Sequence, residues 1–248
     1  MSEMTVIEAY IKFSKQLVIL ISGLPGCNKN KLAKDIAGIF KIKYISLREF
    51  IKKDYNTETQ LSNGSKVINW DNNDAYDWKK FNDDIDKYKS EGIIVVGFAF
   101  STDLLKFKVD AHINIKMSKK QYIECRHKYL TDHKEDNKNL FELIDTPTES
   151  LIINKLIYPH SIEYTQASTI DKYINTFELN YDQIFDQAFD YLIFMVQKYL
   201  ETNHKHSGES SHSGESSDPD ASSTTSSSDE PYILATVDPN DPYLKYIQ

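Results

Sequence analysis

The sequence predicts an α/β fold in which one five-stranded parallel sheet is covered on both faces by helices. Three observations lead there. Residues 17–21 (LVILI) form a bare, branched apolar run, as a strand buried on both faces reads. Residues 92–100 (GIIVVGFAF) repeat that character. Between such runs lie segments of helical spacing, and strands alternating with helices pair in parallel through crossovers.

The remaining elements follow in order. Met4, Ile7 and Ile11 space a short leading helix over residues 3–13. After the first strand the chain breaks into a glycine-bearing turn, and from Lys31 the positions Leu32, Ile36, Ala37, Ile39 and Phe40 are helical. Residues 43–46 make a second strand. Residues 52–69, polar and turn-rich, read as a surface excursion. Trp78, Phe81, Ile85 and Tyr88 line one side of a helix over 77–90, ahead of the third strand. The fourth strand, 111–117, alternates apolar residues with His112, Asn114 and Lys116, which places it nearer a sheet edge. A basic helix over 118–133 carries Lys119, Lys120, Arg126, His127 and Lys128. Next come a helix over 149–166 interrupted at Pro159, a fifth strand at 172–177, and a closing amphipathic helix over 181–200.

Composition narrows the function. At 248 residues and 40% hydrophobic, the chain can bury one core, that of a single domain over 1–202. Of the formal charge of −8, −6 lies from Asn203 onward. A nearly neutral body is poor material for a general nucleic-acid binder, so no nucleic acid is expected. No stretch has the length of a transmembrane helix, the N-terminal residues lack a signal pattern, and no membrane partner is expected. Cys27 and Cys125 sit in different elements and suggest no disulfide framework, which points to a reducing, cytoplasmic setting. The histidines lack metal-ligand spacing, and only two arginines occur, Arg48 and Arg126, as coding bias in an A/T-rich genome would give.

The turn after the first strand carries the chemistry. Strand, glycine turn, lysine, helix is the context of a phosphate-binding loop, where backbone N–H groups and a helix N-terminus face an anion. The candidate nucleotide-binding residues are Gly23, Leu24, Pro25, Gly26, Cys27, Asn28, Lys29, Asn30 and Lys31. Against G-x-x-x-x-G-K-[ST], Gly23 and Lys29 match. Asn28 stands where the second glycine belongs; asparagine tolerates left-handed backbone, so the turn survives. Asn30 replaces the hydroxyl that holds magnesium, its amide oxygen being the substitute metal ligand.

The order of parts over residues 16–200 resembles the uridine kinase-like branch of P-loop nucleoside kinases, which includes uridine–cytidine and nicotinamide riboside kinases. The most specific match is Asn69-Trp70-Asp71-Asn72-Asn73-Asp74-Ala75-Tyr76-Asp77, similar to N-F-D-H-P-x-A-F-D, which helps form the nucleoside site. Ile94-Val95-Val96-Gly97-Phe98 resembles V-x-E-G-[IF], the segment 121–128 resembles the lid helix whose arginines grip the transferring phosphoryl group, and Lys172-Tyr173-Ile174 resembles the last strand. The resemblance implies a P-loop NTPase three-layer sandwich, ATP and Mg2+ as cofactors, and a nucleoside or similar ribosyl alcohol as acceptor. It implies Asp71 as the ribose-hydroxyl partner, Tyr76 beside the base, and Arg126 as the phosphate clamp.

The departures are as specific. Arg48 occupies the position of the family's catalytic aspartate, on the acceptor side of the site, and Val96 replaces the glutamate of V-x-E-G. Glu49 is the nearest substitute base, with capping of the following helix as its competing role. Out of this context, Asp71 reads as a turn residue, Tyr76 as core and Arg126 as a solvated face. Two readings follow: an ATP-dependent nucleoside kinase using Lys29, Glu49 and Arg126, or an impaired kinase fold acting through protein partners.

Residues 203–231, with HSGESS repeated from His206 and His212, have the composition of a disordered linker. Residues 232–248 return to apolar clusters that suit docking on the body or on a protein partner. The oligomeric state is left open.

Overall fold

The structure, a computed structural model, describes residues 4–132, 134–135, 138–177 and 179–207, without the side chains of 139–140 and 204–207. The chain divides into two units, Met1–Glu209 and Ser210–Gln248, and the described residues belong to the first. The linker and apolar-segment expectations for residues 208–248 lie outside the described residues.

Helix α1 (Val6–Ser14) is started by Thr5, whose hydroxyl accepts from the Glu8 N–H while Glu8 accepts from the Thr5 N–H. Strand β1 (Val18–Gly23) is buried throughout. Helix α2 (Lys29–Phe40) follows, then β2 (Lys43–Ser46) and a 3-10 turn, Leu47–Phe50. Within the polar excursion the chain makes a small antiparallel hairpin, β3 (Glu58–Gln60) and β4 (Lys66–Ile68). Its six residues are exposed or half-buried, so no apolar face announced it. Helix α3 (Trp78–Tyr88) and strand β5 (Ile93–Gly97) come next, then β6 (Ala111–Lys116) and α4 (Lys119–Asp132). A short α5 (Lys138–Phe141) leads to α6 (Pro147–Ile152), a π-helical stretch Ile153–Ile157, and α7 (Tyr158–Gln166). Pro159, which lacks an N–H, sits in the first turn of α7. Strand β7 (Lys172–Asn175) is shorter than its pattern suggested, and α8 (Tyr181–Ser207) runs into the segment expected to begin the linker.

The main sheet is wholly parallel, in the order β2-β5-β1-β6-β7. Residues of β1 alternate between two cores, as the period of two requires. Ile19 and Ile21 pack with α2 and α8, whereas Val18 and Leu20 pack with Phe81 and Ile85 of α3. The three-layer α/β sandwich is therefore as expected, with one correction. Strand β6 is interior, between β1 and β7.

Its polar residues are buried because they satisfy one another. The Asn114 amide donates to Ser22 Oγ at 2.9 Å, Ser22 Oγ meets His112 Nε2 at 2.8 Å, and His112 Nδ1 meets the Thr169 carbonyl at 2.8 Å. With Nδ1 donating to that carbonyl, Nε2 accepts from Ser22. Burial lowers the His112 pKa to about 4. The unfolded chain takes up this proton near pH 6.5, the native state only near 4. The stability from neutral His112 is thus complete above about 6.5 and is lost as pH falls through about 4. The full interval corresponds to about 3 kcal/mol. In urea titrations across this range, His112→Gln should flatten the acid limb.

Candidate nucleotide and acceptor site

The carboxyl ends of β1, β2, β5 and β6 converge on the loop between β1 and α2, the place where such sheets bind ligands. Gly23 ends β1 at φ +152°, and a side chain there would put a Cβ 2.6 Å from the Ile115 carbonyl oxygen. Its N–H donates to the Phe98 carbonyl at 3.1 Å. Gly26 has φ +88° and lies against Cys125 of α4, with 3.1 Å from the place of its missing Cβ to Cys125 Cβ. Asn28 adopts the left-handed conformation, φ 60° and ψ 11°, directly before Lys29 opens α2. Left-handed asparagine thus does the work of the missing second glycine.

Lys29 is half-buried, and its ammonium donates to the Leu24 carbonyl at 3.1 Å, inside the loop. Burial holds the ammonium below the ordinary lysine value; Arg48 adds to that, and Cys27 and Asp71 oppose it. A cation so placed gains strongly from an incoming polyanion. Asn30 is exposed on the first turn of α2, free of the loop's hydrogen bonds. Pro25 and Gly26 border solvent, while Leu24 and Cys27 are buried under them. Lys31 points away from the loop, paired with Asp35 and lying over the Tyr181 ring.

Facing Lys29 is the segment 69–77, fixed by a dense set of hydrogen bonds. The Asp71 N–H donates to Asn69 Oδ1 at 3.3 Å, Asn72 Oδ1 caps the Asp74 N–H, and the Trp78 indole donates to the Asn73 carbonyl at 2.8 Å. The Asn73 N–H donates to the Tyr164 hydroxyl at 3.4 Å. This frame leaves the Asp71 carboxylate half-buried with no hydrogen bond or ion pair to any described residue. Burial pushes its pKa above the ordinary 3.8, against the pull of Arg48, Lys29, His160 and Arg126. Tyr76 is buried beneath it, and its hydroxyl is likewise raised by burial, then by Asp71.

The structure thus brings Lys29, Arg48, Asp71, Tyr76 and Arg126 into one electrostatic neighbourhood. Glu49 is turned elsewhere: its Oε1 accepts from the Ser46 N–H at 3.0 Å, capping the 3-10 turn, and Arg48 makes no ion pair with it. Val96 is sealed in the core, so no carboxylate stands at that end of β5.

Arg126 is held by Glu149. Its Nε donates to Glu149 Oε1 at 2.9 Å, while Glu149 Oε2 meets His127 Nε2 at 2.9 Å and the Asp145 N–H at 2.9 Å. Burial works against this carboxylate, but Arg126, His127 and Asp145 together hold it below the ordinary 4.5. His127, Asp145 and Glu149 bring three possible metal-ligand atoms within 4.8 Å of one another. Glu149 already spends both oxygens on N–H donors, so the cluster works as a clamp between α4 and α6.

Three residues escaped sequence reasoning. Tyr164 is buried with its ring edge-on to Phe98 at 6.3 Å, and His160 stacks on it at 5.2 Å. Tyr122 of α4 is 1% exposed, and its hydroxyl has no hydrogen-bond partner among the described residues. The Arg126 guanidinium lies beside it, and burial pushes the phenol up to about 12. Tyr122 lies four residues before Arg126, one turn away on α4, and no comparable spacing marked His160 or Tyr164.

No protein-family model matches the chain, and no curated protein matches it. Among solved structures, it is similar to a gluconokinase from Sinorhizobium meliloti 1021 at 12% identity, covering 77% of this chain and 98% of that one, with a TM-score of 0.44. A shikimate kinase from Aquifex aeolicus aligns at 13% identity over 77% of this chain and 99% of that one, TM-score 0.38. A shikimate kinase from Bacteroides thetaiotaomicron aligns at 14% identity over 76% and 99%, TM-score 0.40. At these values the fold is read from the chain's own strand order, and the chemistry from its own residues.

The loop geometry is testable by its one left-handed asparagine. Asn28→Gly should leave stability within about 1 kcal/mol, whereas Asn28→Val should cost roughly 1–3 kcal/mol because a β-branched residue is strained there. Denaturant midpoints of the two variants make the comparison.

Proposed function

We propose that the chain is an ATP- and magnesium-dependent phosphotransferase acting on the hydroxyl of a small nucleoside-like or ribosyl acceptor. One observation carries the reading. An unpartnered carboxylate, Asp71, faces a lysine seated in a left-handed loop at a helix N-terminus. A general base and a phosphate cradle set opposite each other are what hydroxyl phosphorylation needs.

The loop N–H groups and Lys29 hold the outer phosphates. Asn30, exposed and free, fits a magnesium ion carried in by the nucleotide, since magnesium keeps waters and phosphate oxygens as most of its ligands. When bound, that ion would supply charge neutralisation to the transferring phosphate. Asp71 accepts the acceptor hydroxyl's proton as the oxygen bonds to the γ-phosphorus, and the bridging bond breaks with its electron pair leaving on ADP. A carboxylate raised by burial is a stronger base than an ordinary aspartate. Arg126, positioned by Glu149, meets the charge on the transferring group. Tyr76 and Tyr164 wall the acceptor.

A second reading, a nucleotide-binding scaffold without turnover, is favoured by Val96, buried where the resembled family has a carboxylate, and by Arg48 lying near Lys29. Phosphate transfer from magnesium-ATP to a panel including uridine, cytidine and nicotinamide riboside separates the two. Turnover absent alongside intact ATP binding would favour the scaffold.

For the enzyme, Lys29→Ala should lower kcat/KM by about 10²-fold or more and weaken ATP binding. Asp71→Asn should lower kcat by roughly 10²–10⁴-fold. Activity should fall as pH drops through the raised Asp71 pKa, so the acid limb lies above 3.8. That limb should vanish in Asp71→Asn and persist in Glu49→Gln. Its survival in Asp71→Asn and loss in Glu49→Gln would transfer the base role to Glu49.

A further inference from the structure

We propose that the acceptor is an anion, carrying a phosphate ester or carboxylate that is bound by Arg48, the free edge of the Arg126 guanidinium and the Tyr122 hydroxyl. The inference rests on the phosphotransferase reading and names the substrate class of that site.

Arg48 follows β2 in the 3-10 turn Leu47–Phe50 and is exposed there. It lies within electrostatic reach of Lys29, Asp71 and Tyr76, yet its side chain forms no hydrogen bond or ion pair with any described residue. The other cations near Asp71 have partners. Lys29 holds the Leu24 carbonyl and belongs to the phosphate loop, Arg126 is bonded through Nε to Glu149, and His160 Nδ1 lies 3.3 Å from Glu163 Oε2. Asp71 supplies a single negative charge against these groups and touches none of them. The nucleotide's own phosphates would be met by the loop and Lys29. Arg48 is exposed, so water alone serves its guanidinium until an anionic acceptor takes that place.

The Tyr122 hydroxyl is the independent observation. It is buried, it is the one buried side-chain polar atom without a hydrogen-bond partner among the described residues, and Arg126, Asp71 and Glu149 are its charged neighbours. Buried polar atoms are nearly always satisfied, and an orphan beside a cleft marks where a ligand atom completes it. A phenol that donates, a guanidinium edge and a second, unpaired guanidinium form a donor set for an oxyanion of two or three oxygens. Such a subsite separates this chain from a binder of neutral nucleosides, and Arg48, in place of an aspartate, is the residue that changes the sign.

The test is calorimetric titration of the full chain, without nucleotide, using the matched set ribose, ribose 5-phosphate and ribonate, and the pair uridine and uridine 5′-monophosphate. At least one anionic member should bind about tenfold or more tightly than its neutral counterpart. Which anion wins distinguishes a phosphate from a carboxylate site. Arg48→Ala should remove most of that preference and Arg48→Lys should restore part of it, since lysine keeps the charge but not the fork. Tyr122→Phe, which keeps the ring packing, should weaken the anion about threefold to tenfold. Equal binding of neutral and anionic members, a preference that survives Arg48→Ala, or no binding of any member would overturn the proposal. If ATP binding and its dependence on Lys29 persist in those cases, the phosphotransferase reading stands without it.

Discussion

The closest approach in the site is made by backbone. At Gly23 the end of β1 meets the Ile115 carbonyl of β6 so tightly that no side chain fits, and this contact determines where the loop leaves the sheet. Because β1 is the central strand, flanked by β5 and β6, its last residue is held from both sides. The Ser22, His112 and Asn114 bonds lock the residue before it. Everything beyond inherits that placement: the left-handed Asn28, the Lys29 ammonium turned back to Leu24, and the Asp71 segment opposite.

The two carboxylates of the region show how differently burial can be resolved. Glu149 is buried and fully bonded, with Arg126, His127 and the Asp145 amide all donating to it, and its proton affinity falls. Asp71 is surrounded by cations that do not touch it, and its proton affinity rises. The first arrangement is structural, a joint between α4 and α6. The second stores unmet bonding capacity, which is what a site offers a reacting ligand.

The sheet was legible because its strands are branched and apolar, and the loop because glycines and a lysine follow a buried strand. Interior β6 was not, since His112 and Asn114 read as solvent-facing until Ser22 is seen to bond them. Hairpin β3–β4 carries no apolar face to betray it. Glu49 has the right charge in nearly the right place, but a one-residue offset sends its carboxylate to the Ser46 amide. Tyr122, His160 and Tyr164 lie on helices whose contact with the cleft is set by tertiary packing, and no local period reveals which face turns inward.

The π-helical stretch Ile153–Ile157 has a geometric consequence for the acceptor wall. A π turn inserts one residue into an α-helical path, so every residue after it is rotated by about 100° relative to an unbroken helix. His160 and Tyr164 both lie after it. The stacked pair owes its orientation toward Phe98 and Asn73 to that single extra residue. In descendants of this chain, loss of one residue here would swing the wall away from the cleft while leaving the helix, its length and its hydrophobic content nearly intact.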